Sequence, residues 1–216
     1  MKLKMILSFG LVSVLILASC ASYNASPLSD LGLLQTSAKE EEISIVSKTF
    51  TKADCKKFFD RNVIAKGYQP IQLYIQNNSN HSYSFSLNRI SLPVAKSEEV
   101  AKKLHTSTVG RVVGYGAGAL ALQALLIFSD APSSPMLPTR ALFIPSVVDG
   151  VKSSEANATL DSDLATKTAK DKVIFPHSQM NAIIFIPISS YQDSFTITLI
   201  DVNTNEPKVL QVTSYS

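Results

Sequence analysis

Few residues in this 216-residue chain are of a kind and spacing that could do chemistry. Its three histidines, His81, His105 and His177, form no H-x-H, H-E-x-x-H or His–Cys pair, so local spacing supplies no metal site. His81 and His177 fall among turn-forming residues and His105 late in a helical stretch, where solvated histidines are expected. Asp161 and Asp163 stand two apart and do not share a helix face, which argues against a paired acid and base. No G-x-S-x-G elbow is present. Gly114-x-Gly116-x-Gly118 lacks the dinucleotide-binding spacing, and no Gly-Lys-Ser/Thr follows it. The sequence thus points to no catalytic set, no metal and no cofactor. What remains is Cys20, directly after Leu17-Ala18-Ser19, and Gly110, Gly114 and Gly118, which recur every four residues. On a helix the glycines make a ridge along which another backbone can approach closely. Such a ridge serves either packing within the domain or an interface, through self-association or membrane insertion.

The first 20 residues read MKLKMILSFGLVSVLILASC. Lys2 and Lys4 form a cationic head, and Met5 to Leu17 is an apolar core broken only by Ser8, Gly10 and Ser13. That is the pattern of an export signal, and it is short for a span, which needs about 20 apolar residues. Its end, Leu17-Ala18-Ser19-Cys20, resembles the lipobox of bacterial lipoproteins. The resemblance implies a signal peptide over residues 1–19, cleavage before Cys20 and lipid attachment at Cys20. Several acyl chains give stable membrane anchoring, where one gives only marginal binding. Ala21 and Ser22 follow the cysteine with no Asp next to it, which resembles an outer-membrane destination.

Removing residues 1–19 leaves eighteen basic and seventeen acidic residues. The mature chain is therefore nearly neutral, and no electrostatic case for nucleic acid exists. Once Cys20 carries lipid, Cys55 has no partner within the chain. It is expected to be buried and unpaired, as free cysteines commonly are.

The remaining elements follow in order. Residues 20–42 read as the lipidated cysteine and a tether, whose 22 residues after Cys20 would reach about 25 Å if flexible. Alternation from Ile43 gives a first strand. Thr49 or Thr51 caps a short helix placing Cys55, Phe58 and Phe59 on one face, and Gly67 closes this segment. Ile71, Leu73 and Ile75 alternate, as do Tyr83, Phe85 and Leu87, around Asn77-Asn78-Ser79-Asn80. This predicts a β-hairpin over residues 68–88, with a short strand over 90–94. Ser97 reads as the N-cap of a helix with Glu98 and Glu99 in its first turn and Lys102 and Lys103 later. The Gly/Ala-rich run 109–128 and a Pro/Ser-rich loop follow. A second helix over 153–170 carries Ala156, Leu160 and Leu164 as its apolar stripe. Residues 172–214 return to three or four strands, with 181–188 apolar enough for a strand buried on both faces.

Together these predict an α+β protein. A mainly antiparallel, sandwich-like domain spans 43–216, with a helical, Gly/Ala-rich insertion at about 95–170 between two β blocks. Strands on both sides of 109–128 oppose a single membrane crossing there. The mature part resembles bacterial lipoproteins with a small β-rich envelope domain, and no functional residue carries over from that likeness. The expected role is non-enzymatic binding or assembly in the cell envelope. The membrane is engaged through the N-terminal lipid, and a protein partner or second copy through 109–128. The alternatives are an envelope hydrolase with a site of scattered residues and a surface-exposed adhesin or host-facing factor.

Overall fold

The structure, a computed structural model, describes residues 22–29, 42–105 and 154–215. The chain divides into two units, Asn24–His105 with Thr159–Ser216, and Met1–Tyr23 with Thr106–Ala158. Nearly all described residues belong to the first. Cys20, Gly110, Gly114, Gly118 and the whole of 109–128 lie outside the described residues.

The fold is α+β and mainly antiparallel, with seven strands in two sheets among the described residues. β1 (Ile43–Thr49), β2 (Tyr68–Asn77) and β5 (Gln179–Pro187) form the first sheet, in the order β1-β2-β5. β4 (Lys172–Ile174), β3 (Tyr83–Phe85), β6 (Ser194–Asp201) and β7 (Pro207–Thr213) form the second, in that order. The described residues also include the helices α1 (Lys52–Phe59), α2 (Ser97–Leu104) and α3 over residues 154–167.

The period-two pattern explains the core. Ile71, Leu73 and Ile75 of β2 stand opposite Ile184, Ala182 and Met180 of β5, all directed to one face. Phe85, Phe195, Ile197 and Leu199 meet them from the second sheet, and all are buried. Two inner faces packed in this way define a β-sandwich. The first sheet is buried on its other face too. There Phe59 of α1 packs on Phe185 of β5, ring centroids 5.6 Å apart, and on Phe50 at 5.9 Å. This helical layer explains why β5 reads as a nearly continuous apolar run. It also explains why Gln72, on that face, is fully buried.

The expected hairpin over 68–88 does not form. β2 pairs with β1 and β5, whereas β3 pairs with β4 and β6, so the chain crosses between sheets at 78–82. Alternation shows which face of a strand is apolar; it does not show which strand lies beside it. Here both strands direct that face into the same core from opposite sheets. Asn77, fully buried, pins the crossing. Its amide donates to the carbonyls of His81 (2.7 Å), Phe175 (2.9 Å) and Ile174 (3.2 Å), and its Oδ1 accepts from the Ser79 hydroxyl (2.8 Å) and N–H (3.1 Å). One side chain thereby ties the β2–β3 crossing to the turn after β4. Nor do residues 90–94 form a strand: only Ile90 makes a bridge, to Ile197, after a 3-10 turn at Leu87–Arg89.

Helix ends follow local chemistry. Thr51 and Asp54 form a reciprocal capping box on α1. Gly67, at φ 91°, ends the next 3-10 turn in the left-handed region that glycine enters without a Cβ clash. Ser97 is the first residue of α2 rather than its cap; Lys96 holds that place without a side-chain bond. On the outer edge of β5, Ala95 and Ala169 donate N–H groups to Phe185 and Ile183, both at 2.8 Å. The edge is covered without another strand, which blocks chain-to-chain pairing there.

Candidate functional site

The part of the unit nearest Cys20 in sequence carries a set of long-range polar contacts. Asn24–Ser29, part of the stretch read from the sequence as a tether, is bonded to α1, β2, β5 and α3. Asn24 N–H donates to Asp60 Oδ2 at 3.2 Å, and Ser26 N–H donates to the Lys57 carbonyl at 2.8 Å. The Ser26 carbonyl accepts from Lys167 Nζ at 2.7 Å. The Ser29 carbonyl accepts from Gln72 Nε2 at 2.7 Å and from Asn181 Nδ2 at 3.1 Å.

Lys167 is the centre of this clasp. It lies near the C-terminal end of α3 and is only 7% exposed. Besides Ser26, its ammonium donates to the Phe58 carbonyl and to Asp163 Oδ2, each at 2.6 Å. All three ammonium protons are thereby used, the condition under which burying a charge is tolerable. The Phe59 ring lies 5.9 Å away. Asp163 supplies the counter-charge one turn earlier in the helix, an i, i+4 pair. Gln72 and Asn181, on the adjacent strands β2 and β5, are bonded to each other at 2.7 Å, and both amides donate to Ser29.

Asp60 closes the other end. It caps α1 in the left-handed conformation, at φ 50°. Burial works against its carboxylate, yet the bond from Lys56, the Asn24 N–H and the charges of Lys56 and Arg61 outweigh it. Its pKa is accordingly held below the ordinary aspartate value. Exposed Lys56 and Lys57 lie in the last turn of α1, with exposed Lys52 at its first residue and Lys66 in the following turn. Residues 48–66 hold six basic and two acidic side chains, net +4. The rest of the mature chain has twelve basic and fifteen acidic, net −3. A chain that is neutral as a whole is locally cationic where its N-terminal segment is fastened.

The remaining chemistry-bearing residues have structural partners. His81 Nδ1 meets Asp201 Oδ2 at 2.8 Å, His105 Nε2 meets Asp161 Oδ1 at 2.6 Å, and His177 Nε2 meets Asn80 Oδ1 at 3.2 Å. Each pair joins two surface segments. Asp161 serves His105 while Asp163 serves Lys167, as two residues on different helix faces must. Asp201 also accepts the N–H groups of Asn203 and Thr204, bonds that hold its pKa low and shape the β6–β7 turn. Asp171 holds Ser86 and the Leu87 N–H, with the same lowering effect. Among the described residues no group of three His, Cys, Asp or Glu could hold a metal ion.

Cys55 is fully buried on the face it shares with Phe58 and Phe59, and it is a free thiol. Burial pushes its pKa up to about 11, so almost none is thiolate at neutral pH. Native protein is expected to resist a bulky maleimide at Cys55 and to react only after denaturation. Rapid labelling of the folded protein, followed by mass spectrometry of the Cys55 peptide, would show this packing to be wrong.

Open grooves are found among the described residues. One, of about 540 Å³, runs between α3 and β5, with Ser162, Thr166, Lys170, Gln179 and Asn181 in its lining. The other, of about 450 Å³, lies between β1 and β7, lined by Ile43, Ile45, Val209 and Leu210 with the Lys208–Glu42 pair. Neither sets a nucleophile beside a base. No helix among the described residues is long and apolar enough to cross a membrane. Compared with protein-family models, curated proteins and solved structures, the chain matches none.

Proposed function

We propose that this protein is a lipid-anchored component of the bacterial cell envelope, acylated at Cys20. In this reading its sandwich domain binds or assembles with another envelope component and carries out no reaction. One juxtaposition carries the reading. Leu17-Ala18-Ser19-Cys20 closes a short export signal, and only Ala21, Ser22 and Tyr23 separate Cys20 from the segment fastened by Lys167, Gln72 and Asn181. Cleavage before Cys20 would place the acylated terminus directly beside a rigidly held chain. That suits a module kept at a membrane surface better than one that ranges on a long leash.

A binding role also accords with where the polar side chains are used. Asn77, Asp171, Asp201 and Lys167 are committed to holding turns and crossings in place. The Gly/Ala-rich segment 109–128 is the proposed contact element, for a partner or a second copy. The residues after Cys20 favour the outer membrane as destination.

Metabolic labelling with a fatty-acid analogue tests the reading. Wild-type protein is expected to carry label and to fractionate with membranes. Cys20→Ala is expected to lose the label entirely and to leave the membrane fraction. Equal labelling of the two would contradict acylation at Cys20.

A further inference from the structure

We propose that the exposed face of α1, bearing Lys52, Lys56 and Lys57, is the membrane-facing surface of the domain and binds anionic phospholipid headgroups. The inference rests on the lipid-anchor reading for its biological setting, though not for its test. Its first ground is reach. Asn24 and Ser26 are bonded to Asp60 and Lys57 at the C-terminal end of α1. Four residue steps from Cys20 to Asn24 span at most about 14 Å even when fully extended. A connector of only that length joins the acylated residue to the segment fastened on α1. A free leash to Glu42 would instead let any face of the domain turn to the bilayer.

The second ground is charge. Residues 48–66 are net +4 and the rest of the mature chain net −3. Exposed lysines clustered on one short helix are drawn toward a negative surface. Three arrangements keep the α1 lysines available. Asp54 is engaged by Lys48 at 2.8 Å and by the Thr51 cap, away from Lys52 and Lys57. Asp60 is shared by Lys56 and Arg61, so two cations face one carboxylate. Lys57 stands over the Phe58 ring, 4.9 Å from its centroid, which supports its stem while its ammonium stays exposed. The Lys56 side chain is 71% exposed despite its pairing. A lipid anchor joined to a basic patch is the two-signal arrangement that makes peripheral attachment stable.

Each lysine close to an anionic bilayer raises partitioning about fivefold, and the gain fades beyond a Debye length of about 8 Å at physiological salt. The test uses the mature chain, residues 20–216, carrying Cys20→Ala, so that no acyl chain contributes. Its sedimentation with phosphatidylcholine vesicles is compared with and without phosphatidylglycerol. Binding is expected only with phosphatidylglycerol and is expected to weaken as salt rises. Lys52→Gln/Lys56→Gln/Lys57→Gln should lower partitioning about a hundredfold. Lys52→Gln/Lys57→Gln leaves the Lys56–Asp60 pair intact and should lower it about thirtyfold, with an unchanged melting curve. The control Lys96→Gln/Lys170→Gln/Lys172→Gln removes the same charge from other faces and should change it by less than about threefold. Equal binding to both vesicle types, no binding to either, or an equal loss in the control would overturn the proposal. Loss of fatty-acid labelling at Cys20 in cells would overturn the anchor and leave this vesicle result standing by itself.

Discussion

Lys167→Met is expected to destabilise the protein by about 3–5 kcal/mol, as removing one partner of a buried ion pair does. Methionine has a similar length and fills the space. What it cannot do is donate. The Ser26 and Phe58 carbonyls and Asp163 would each lose a bond of 2.6–2.7 Å at a side chain only 7% exposed. A buried acceptor left without a donor costs about 1–3 kcal/mol, and a carboxylate costs more. The loss should be visible twice. Urea unfolding should show a lower midpoint, and a protease should cut within Asn24–Ser29 in the native variant but not in wild type. A double variant, Lys167→Met/Asp163→Leu, also removes the counter-charge of Lys167 and should recover part of the stability while leaving Asn24–Ser29 open to cleavage. If Lys167→Met melts within about 1 kcal/mol of wild type, the clasp is a surface contact and contributes little.

Phe59→Ala is expected to cost about 3–5 kcal/mol by a different mechanism, the opening of a cavity. Phe59 is fully buried between the sheet and α1, touching the rings of Phe50 and Phe185. No flexible neighbour stands ready to fill its place, since Cys55, Phe58 and Phe185 are themselves fully buried. At about 2–4 °C per kcal/mol, the melting temperature should fall by roughly 6–20 °C. Phe59→Leu, which keeps much of the volume, should cost well under half as much. Comparable losses for the two would mean that ring contacts, not volume, dominate at this position. Cys55 offers an independent readout, because its maleimide reactivity in the native state should rise in Phe59→Ala and stay low in Phe59→Leu.

How far the sequence alone carried can be judged from particular elements. The α+β class, most strand positions apart from 90–94, and the buried face of α1 follow from periodicity. Thr51, Gly67 and the run 181–188 were legible because capping, left-handed turns and two-sided burial each leave a local mark. The pairing of β2 and β3 was not. Turn-rich residues between two alternating runs describe a hairpin and a crossing between sheets equally well, and what separates them is Asn77, whose partners near Ile174 lie about a hundred positions away. The clasp was hidden for the same reason. Asn24–Ser29 has no periodicity, and Lys167 looks like any solvated helix lysine until α1, β2 and β5 are assembled around it. One weak sign was available: the basic residues cluster between 48 and 66 in a chain that is otherwise slightly acidic.

The lipid anchor remains the central claim, and the N-terminal peptide of protein purified from membranes tests it most directly. Trypsin should release Cys20–Lys39, since no Lys or Arg lies between them. Mass spectrometry is predicted to find this peptide beginning at Cys20, heavier by a thioether-linked diacylglyceryl group, and to find no chain retaining Met1. An unmodified Cys20, or a mature chain that begins elsewhere, would contradict the account.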